Sequence, residues 1–286
     1  MNKPLQGHTA RKRFGQNFLQ DSNIILQIIQ CIHPLKTEHL VEIGPGLGAL
    51  TTQLLPLAGK LQAIELDRDL APKLERNCRS LGQIEVFQTD AMKFDFYQLY
   101  DQSQKLRIVG NLPYNISTPL LFHLFKFAPI IHDMHFMLQD EVVQRMAAAP
   151  GNKSWGRLSV MVQYYCEVEK LFTVPPYAFN PAPKVQSAIV KLMPHEQLPF
   201  KANDHKHFDQ VVTAAFGQRR KTLGNSLSKI CSREHLISLG LDPSIRAEQL
   251  SVQQFVEIAN SLTENDQPAL QNASNNQQIH LIKTKL

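Results

Sequence analysis

The segment Val41-Glu42-Ile43-Gly44-Pro45-Gly46-Leu47-Gly48 constrains the fold of this chain more than any other. An apolar strand over Leu40 to Ile43 runs into three glycines at alternate positions, and an apolar helix follows from about Ala49 to Leu57. Glycine enters left-handed backbone without a Cβ penalty, so the chain can turn tightly there and approach a ligand closely. The next apolar run, Leu61 to Ile64, ends at Glu65. That acid lies about 20 residues past the first glycine, the offset at which a carboxylate meets ribose hydroxyls. A third strand, Ile84 to Gln88, ends near Asp90-Ala91, and a fourth, Leu106 to Gly110, ends at Asn111. Ligands of open parallel sheets bind outside the carboxyl ends of the strands. Four consecutive strand ends carrying Gly, Glu, Asp and Asn therefore predict an α/β nucleotide site.

The glycine pattern alone does not choose the nucleotide. Gly44 to Ala49 also satisfies the loose G-x-G-x-x-A form of a dinucleotide fingerprint, which leaves an NAD oxidoreductase open. Asp90 together with the tetrapeptide Asn111-Leu112-Pro113-Tyr114 argues against it and puts that reading last. Proline removes a backbone donor and fixes its own φ, so the chain must turn at the strand's end. The turn presents one amide side chain, free carbonyls and one aromatic face. These suit a planar amine such as adenine: two oxygens accept its amino hydrogens while the ring stacks on the base. Hydride transfer has no use for such a group.

Beyond these motifs, the chain resembles the ribosomal RNA adenine dimethyltransferases in an ordered series of stretches from about Arg11 to Leu262. They include Arg11 to Leu19, Val41 to Gly46, Ile64 to Asp67, Asp90-Ala91 and Gly110 to Ser117. Later ones are Gly156 to Ser159, Pro181 to Val185 and Gln218 to Leu223. The resemblance implies a Rossmann-like S-adenosylmethionine-dependent methyltransferase sheet with a small C-terminal all-helical domain. It implies that Asn17, Leu19, Gly44, Gly46, Glu65, Asp90, Ala91 and Asn111 bind the cofactor. Catalysis would fall to Asn111, Leu112, Pro113 and Tyr114, with Tyr114 and Phe179 stacking on opposite faces of the substrate base. Glu42 would either orient the glycine loop or hold the cofactor's amino group. The implied activity places two methyl groups on each of two adjacent adenosines near the 3′ end of small-subunit ribosomal RNA, within a 30S subunit or its precursor. A non-enzymatic subunit assembly factor is the alternative from another class. Other adenine or glutamine amine methyltransferases tend to carry Asn-Pro-Pro-Tyr, where this chain has Leu112. One departure is Gly224, where the family usually has arginine, so the basic patch there is expected to be one charge weaker.

A net charge of +5 and a pI of about 9.0 are compatible with an acidic partner. Clustering says more: Arg11-Lys12-Arg13 and Arg219-Arg220-Lys221 are two basic triplets far apart in sequence, expected to touch RNA phosphates. Cys31, Cys78, Cys166 and Cys231 form no close pairs, which excludes the usual zinc spacings and suggests reduced thiols in a cytosol. No apolar run approaches the ~20 residues that span a bilayer. Met1 to Phe14 is polar and basic, without a signal-peptide core. A cytoplasmic monomer with no bound metal and no membrane contact is the expectation.

Residues 1–21 are expected to form an arm over the cofactor site, 22–194 the catalytic domain, 195–203 a linker and 204–262 a helical RNA-contacting domain. Pro175 to Pro183 holds four prolines and is expected to be irregular. The Asn- and Gln-rich stretch 263–286 is expected to be a disordered tail.

Overall fold

The computed structural model describes residues 11, 16–58, 60–218 and 220–262. Most of the expected arm, Lys12, Arg13, Arg219 and the expected tail therefore lie outside the described residues. Along the first half, strands alternate with helices: β1 (Phe18–Leu19), α1 (Ser22–Ile32), β2 (His39–Ile43), α2 (Thr51–Ala58), β3 (Lys60–Glu65), α3 (Ala71–Cys78), β4 (Gln83–Gln88), β5 (Leu106–Asn111), α4 (Ser117–Leu124) and β6 (Ile131–Gln139). Then follow α5 (Asp140–Met146), α6 (Arg157–Tyr165), β7 (Cys166–Val174), β8 (Phe179–Asn180), β9 (Ser187–Pro194), α7 (His205–Phe216), α8 (Leu223–Ser226), α9 (Arg233–Ser238) and a helix over 252–262. Among the described residues no helix is long and apolar enough to cross a membrane.

Seven strands form one sheet in the order β4-β3-β2-β5-β6-β9-β7. The first five run parallel, and β9 lies antiparallel to both β6 and β7. Burial follows position. β5 is buried from Leu106 to Gly110, as a central parallel strand must be, whereas the edge strand β4 alternates between partly buried and exposed residues. The chain builds outward from β2 through β3 to β4, then returns to place β5 on β2's other side. This reversal between β2 and β5 is the switch point at which open α/β sheets bind ligands.

Local signals behave as their chemistry requires. Asp21 accepts from the backbone amides of Asn23 and Ile24 at 2.9 and 3.2 Å and so starts α1. The helix stops at His33, which adopts φ +46 before Pro34. The proline-rich stretch is less irregular than expected. Phe179-Asn180 within it pairs antiparallel with Phe18-Leu19, because neither residue is proline and both keep their amides.

The chain divides into two compact units, Met1–Ala147 with Tyr165–Glu196, and Ala148–Tyr164 with Gln197–Leu286. This corrects the expected catalytic domain of 22–194, since residues 148–164 pack with the C-terminal helices. The Trp155 indole donates to the Leu250 carbonyl at 3.0 Å, and Gly151 donates to that of Glu248 at 2.7 Å. The ring of Tyr164 lies 4.6 Å from that of Phe208, and its hydroxyl accepts from the Ala202 amide at 3.2 Å.

In the first unit, a buried polar cluster lies toward the starts of β5 and β6, away from their carboxyl ends. Arg107 makes paired bonds of 2.9 and 2.8 Å to Asp133 and one of 2.7 Å to Glu38, so its charge is compensated. His135 on β6 is 3% exposed, and neither ring nitrogen has a hydrogen-bond partner. Burial pushes its pKa down to about 4, with Arg107 and Lys191 adding to the fall and Asp133 opposing it. The unfolded chain takes up a proton near pH 6.5, whereas the folded one resists until about 4. Stability is therefore complete above pH 6.5 and falls as pH drops toward 4. His135→Met should flatten this part of the profile; urea midpoints between pH 7 and 4 measure it, and an equally steep variant would exonerate His135.

Candidate functional site

The carboxyl ends of β2, β3, β4 and β5 surround a cavity of about 840 Å³. Its floor depends on two strand ends that nearly touch. A Cβ on Gly110 would stand 2.6 Å from the carbonyl oxygen of Ile43, so only glycine lets β5 pass β2 there. The chain then leaves β2 through Gly44 at φ +66 and Gly46 at φ +60, conformations that favour glycine. A Cβ on Gly46 would meet the Phe18 ring at 3.2 Å, so this loop is also where the chain's N-terminal part comes close.

Two buried carboxyls stand on neighbouring strands. Glu65, at the end of β3, accepts from the Gly46 amide at 3.0 Å and the Asp67 amide at 2.8 Å, which fixes the carboxylate against the glycine loop. Burial raises its pKa; the backbone amides of Asp67, Gly46 and Leu66 pull it back, against the charge of Asp67. Glu42, on β2, accepts from the Thr51 hydroxyl at 2.6 Å and so ties its strand to the first residue of α2. Burial pushes its pKa up to about 7; the Thr51 bond opposes the rise and the nearby Glu65 adds to it. Past β4, Asp90 accepts from the Met92 amide at 2.9 Å through one oxygen while lining the cavity, so it closes the following turn as well.

Asn111 to Tyr114 line the same cavity. The Asn111 amide nitrogen donates to the main-chain carbonyl of Asn17 at 3.0 Å, which leaves the amide oxygen as its available acceptor. Leu112 is buried, and its backbone amide bonds the Met137 carbonyl at 3.2 Å. The half-buried Tyr114 ring is anchored by its hydroxyl, 2.7 Å from the hydroxyl of the fully buried Ser187 on β9. Burial raises the phenol's pKa, with the Ser187 bond opposing, so the group stays neutral at pH 7.

A glycine loop, two strand-end acids and the Asn111–Tyr114 turn thus share one cavity. Residues 7–264 match the family model described as ribosomal RNA adenine dimethylase. The chain belongs to that family. It is 54% identical over 265 residues to ribosomal RNA small subunit methyltransferase A of Histophilus somni, covering 91% of this chain and 94% of that protein. With the protein of the same name from Pseudomonas putida it shares 54% over 267 residues, covering 93% and 100%. Among solved structures, a dimethyladenosine transferase from Plasmodium falciparum aligns with a TM-score of 0.72 at 27% identity, covering 87% of this chain and 98% of that one. The 23S rRNA methyltransferase ErmE shares the fold, with a TM-score of 0.68 at 24% identity over 86% and 100%.

As a ribosomal RNA adenine dimethylase, the protein is an S-adenosylmethionine-dependent methyltransferase. Its residues fit that cofactor on physical grounds. The cavity has the volume of a cofactor site. Glycines at positive φ leave its edge open to backbone approach, and Glu65 and Asp90 supply acceptors for hydroxyls and an amine.

The structure gathers Asn17, Leu19, Gly44, Gly46, Glu65, Asp90, Ala91 and Asn111 to Tyr114 around this one cavity. Three other expectations need correction. Phe179 is 5% exposed, pairs with Leu19 and packs in a core cluster with Ile28, Ile29 and Ile189; it does not line the cavity. Its apolar neighbours account for its burial. Arg11 is engaged internally, bonding Asp67 at 2.8 Å and also Asp69, so its charge is compensated rather than offered to a phosphate. The place of Gly224 is explained by crowding: a Cβ there would meet Pro243 at 3.0 Å and the Arg233 side chain at 3.1 Å. A guanidinium from another helix thus lies over the glycine. Arg220 and Lys221 are exposed. Sequence reasoning missed Asp67 and Ser187. Asp67 had a signal, an acid two residues past Glu65; Ser187 had none, since its role depends on β9 lying beside β6.

Gly110→Ala should part the ends of β5 and β2 and carry Asn111 away from Gly44. Methyl transfer should fall about 100-fold, since misplacement of this order costs that much. Labelled-methyl turnover beside a thermal melt checks it; wild-type turnover would show that the two strand ends tolerate a methyl group.

Proposed function

We propose that this enzyme dimethylates the 6-amino groups of two adjacent adenosines near the 3′ end of small-subunit (16S) ribosomal RNA, presented in a 30S subunit or its precursor, and that it acts as a cytoplasmic monomer. The observation that carries the reading is the Asn111–Tyr114 turn at the cavity, with the Asn111 nitrogen already spent on Asn17. The small-subunit name of relatives sharing about half of the sequence supports the choice of RNA.

When bound, S-adenosylmethionine supplies a methyl group on a sulfonium whose leaving thioether is neutral. In this reading Glu65 accepts from its ribose hydroxyls and Asp90 from its adenine amine. Asn17, Leu19, Gly44, Gly46 and Ala91 enclose it. The substrate amine is conjugated into its ring and weakly nucleophilic. Accepting its two hydrogens on the Asn111 oxygen and the Leu112 carbonyl favours a pyramidal nitrogen with an available lone pair. Pro113 sets the turn that aims both oxygens, and Tyr114 stacks on the base. The exposed Arg220 and Lys221 contact phosphates, supplying affinity while the pocket reads the base.

The direct test is transfer of labelled methyl to unmethylated 30S subunits, naked ribosomal RNA and DNA, followed by mass mapping of the 3′ fragment. Incorporation confined to two neighbouring adenosines of the subunit is expected; label elsewhere would refute the assignment. Asn111→Ala should slow transfer by on the order of 10²-fold or more, as loss of one aligned electrostatic partner does. Leu112→Ala should be mild because its carbonyl survives. A dead but folded Leu112→Ala would move the second acceptor elsewhere. Glu65→Ala should raise the cofactor's dissociation constant, with charge-assisted bonds worth roughly 1.5–3 kcal/mol at stake. Calorimetry reads this directly, and an unchanged constant in a folded variant excludes the ribose role.

A further inference from the structure

Between the strand-end acids and the catalytic turn lies a connection that neither the cofactor site nor the substrate turn requires by itself. Asp67 is 1% exposed, at the head of the loop between β3 and α3. One of its carboxylate oxygens accepts from the Arg11 guanidinium at 2.8 Å and from the Asp69 amide at 3.0 Å. The other accepts from the Gln16 side-chain amide at 3.2 Å. Arg11 also bonds Asp69, and the Arg11 backbone amide donates to the Gln16 side-chain oxygen at 2.8 Å. Immediately beyond Gln16, the Asn17 carbonyl accepts from the Asn111 amide nitrogen. The following residues are fixed as well, by pairing of Phe18-Leu19 with β8 and by the 2.8 Å bond from the Gln20 amide to the Ala178 carbonyl. Asn17 thus lies between two anchors, one ionic and one of strand pairing.

We propose that Asp67 is a positioning residue for methyl transfer, acting through Arg11, Gln16 and the Asn17 carbonyl to hold the Asn111 amide with its oxygen toward the substrate amine. An amide side chain has two nearly isosteric orientations, and only a partner chooses between them. A main-chain carbonyl chooses firmly, since it can accept from nitrogen but offers nothing to the amide oxygen. A carbonyl on a loosened segment would let the amide rotate and present a donor where an acceptor is needed. Asp67 also donates its own backbone amide to Glu65, so the same residue touches the carboxylate at the cofactor end. The proposal rests on the reading of Asn111 as the amine's acceptor.

The test compares Asp67→Asn, Arg11→Gln and the double variant in the full chain, with 30S subunits and S-adenosylmethionine both saturating. Each single variant should lose about tenfold in kcat, the scale of a modest loss of alignment. Arg11→Gln should also lower the melting temperature, because it removes a cation that faces the buried Asp67 carboxylate. In the double variant that charge is gone, so the melting temperature should recover while kcat stays low. Recovery of kcat together with stability would reduce the pair to a structural role and overturn the proposal. So would wild-type kcat in Arg11→Gln with a shallower salt dependence of subunit binding, which would make Arg11 a phosphate contact. Asn111→Ala is measured alongside in single turnovers. If it keeps normal transfer, the reading of Asn111 is wrong; if it is impaired while Asp67→Asn is normal, that reading stands and the positioning role falls. Arg11→Gln added to Asn111→Ala should cause no further loss, because no amide remains to be oriented.

Discussion

A methyl group on Gly110 would stand 2.6 Å from the Ile43 carbonyl, and the site is built on the approach that its absence permits. β2 and β5 are hydrogen-bonded neighbours that arrive from opposite halves of the topology. Where they end, one strand must release its chain into a left-handed turn and the other must place a polar side chain beside that turn. Gly44 does the first and Asn111 the second; an added Cβ on Gly44 would sit 4.0 Å from the Asn111 carbonyl oxygen. With a side chain at Gly110 the two ends would separate, and the glycine loop and the Asn111–Tyr114 turn would no longer share a cavity. Their proximity is a backbone property, which explains how one fold can keep its geometry while the rim changes.

Two carboxyls also stand on the adjacent strands β2 and β3, and the protein treats them differently. Glu65 is surrounded by backbone amides that favour its ionised form. Glu42 has a single hydroxyl, and burial carries its pKa to about 7, so it holds a proton part of the time at neutral pH. Partial protonation of Glu42 softens the repulsion between the two. Both carboxyls line the cavity; the one held by backbone amides is Glu65, and the one tying strand to helix, Glu42, is the one that can be neutral.

Local chemistry made much of this legible in the sequence. The glycine turn, the cap at Asp21, the strand ends at Glu65 and Asp90 and the proline turn after Asn111 each depend on residues a few positions apart. What escaped depends on distant neighbours. Residues 148–164 read as part of the catalytic domain until Trp155 and Tyr164 are seen bonded to Leu250 and Ala202. Phe179 lies in a stretch suggestive of a ligand loop, yet its two-residue pairing with Phe18-Leu19 buries it. Ser187 carries no signal at all, because the hydroxyl that needs it arrives from Tyr114, 73 residues earlier.

Arg11 shows why a run of cations is a poor guide to a nucleic-acid surface. Its guanidinium faces two carboxylates, Asp67 and Asp69, so its charge is already compensated within the protein. A phosphate brought there would meet acids already holding the cation, and freeing the cation would expose a buried carboxylate. Arg220 and Lys221, exposed in the other compact unit, carry no such penalty. In that unit the side chain of Arg233 lies against Gly224 and bonds the Asn225 side chain at 2.7 Å. The cation bonded to Asp67 and the exposed cations at Arg220 and Lys221 therefore lie on different compact units, although both groups begin as basic triplets in the sequence.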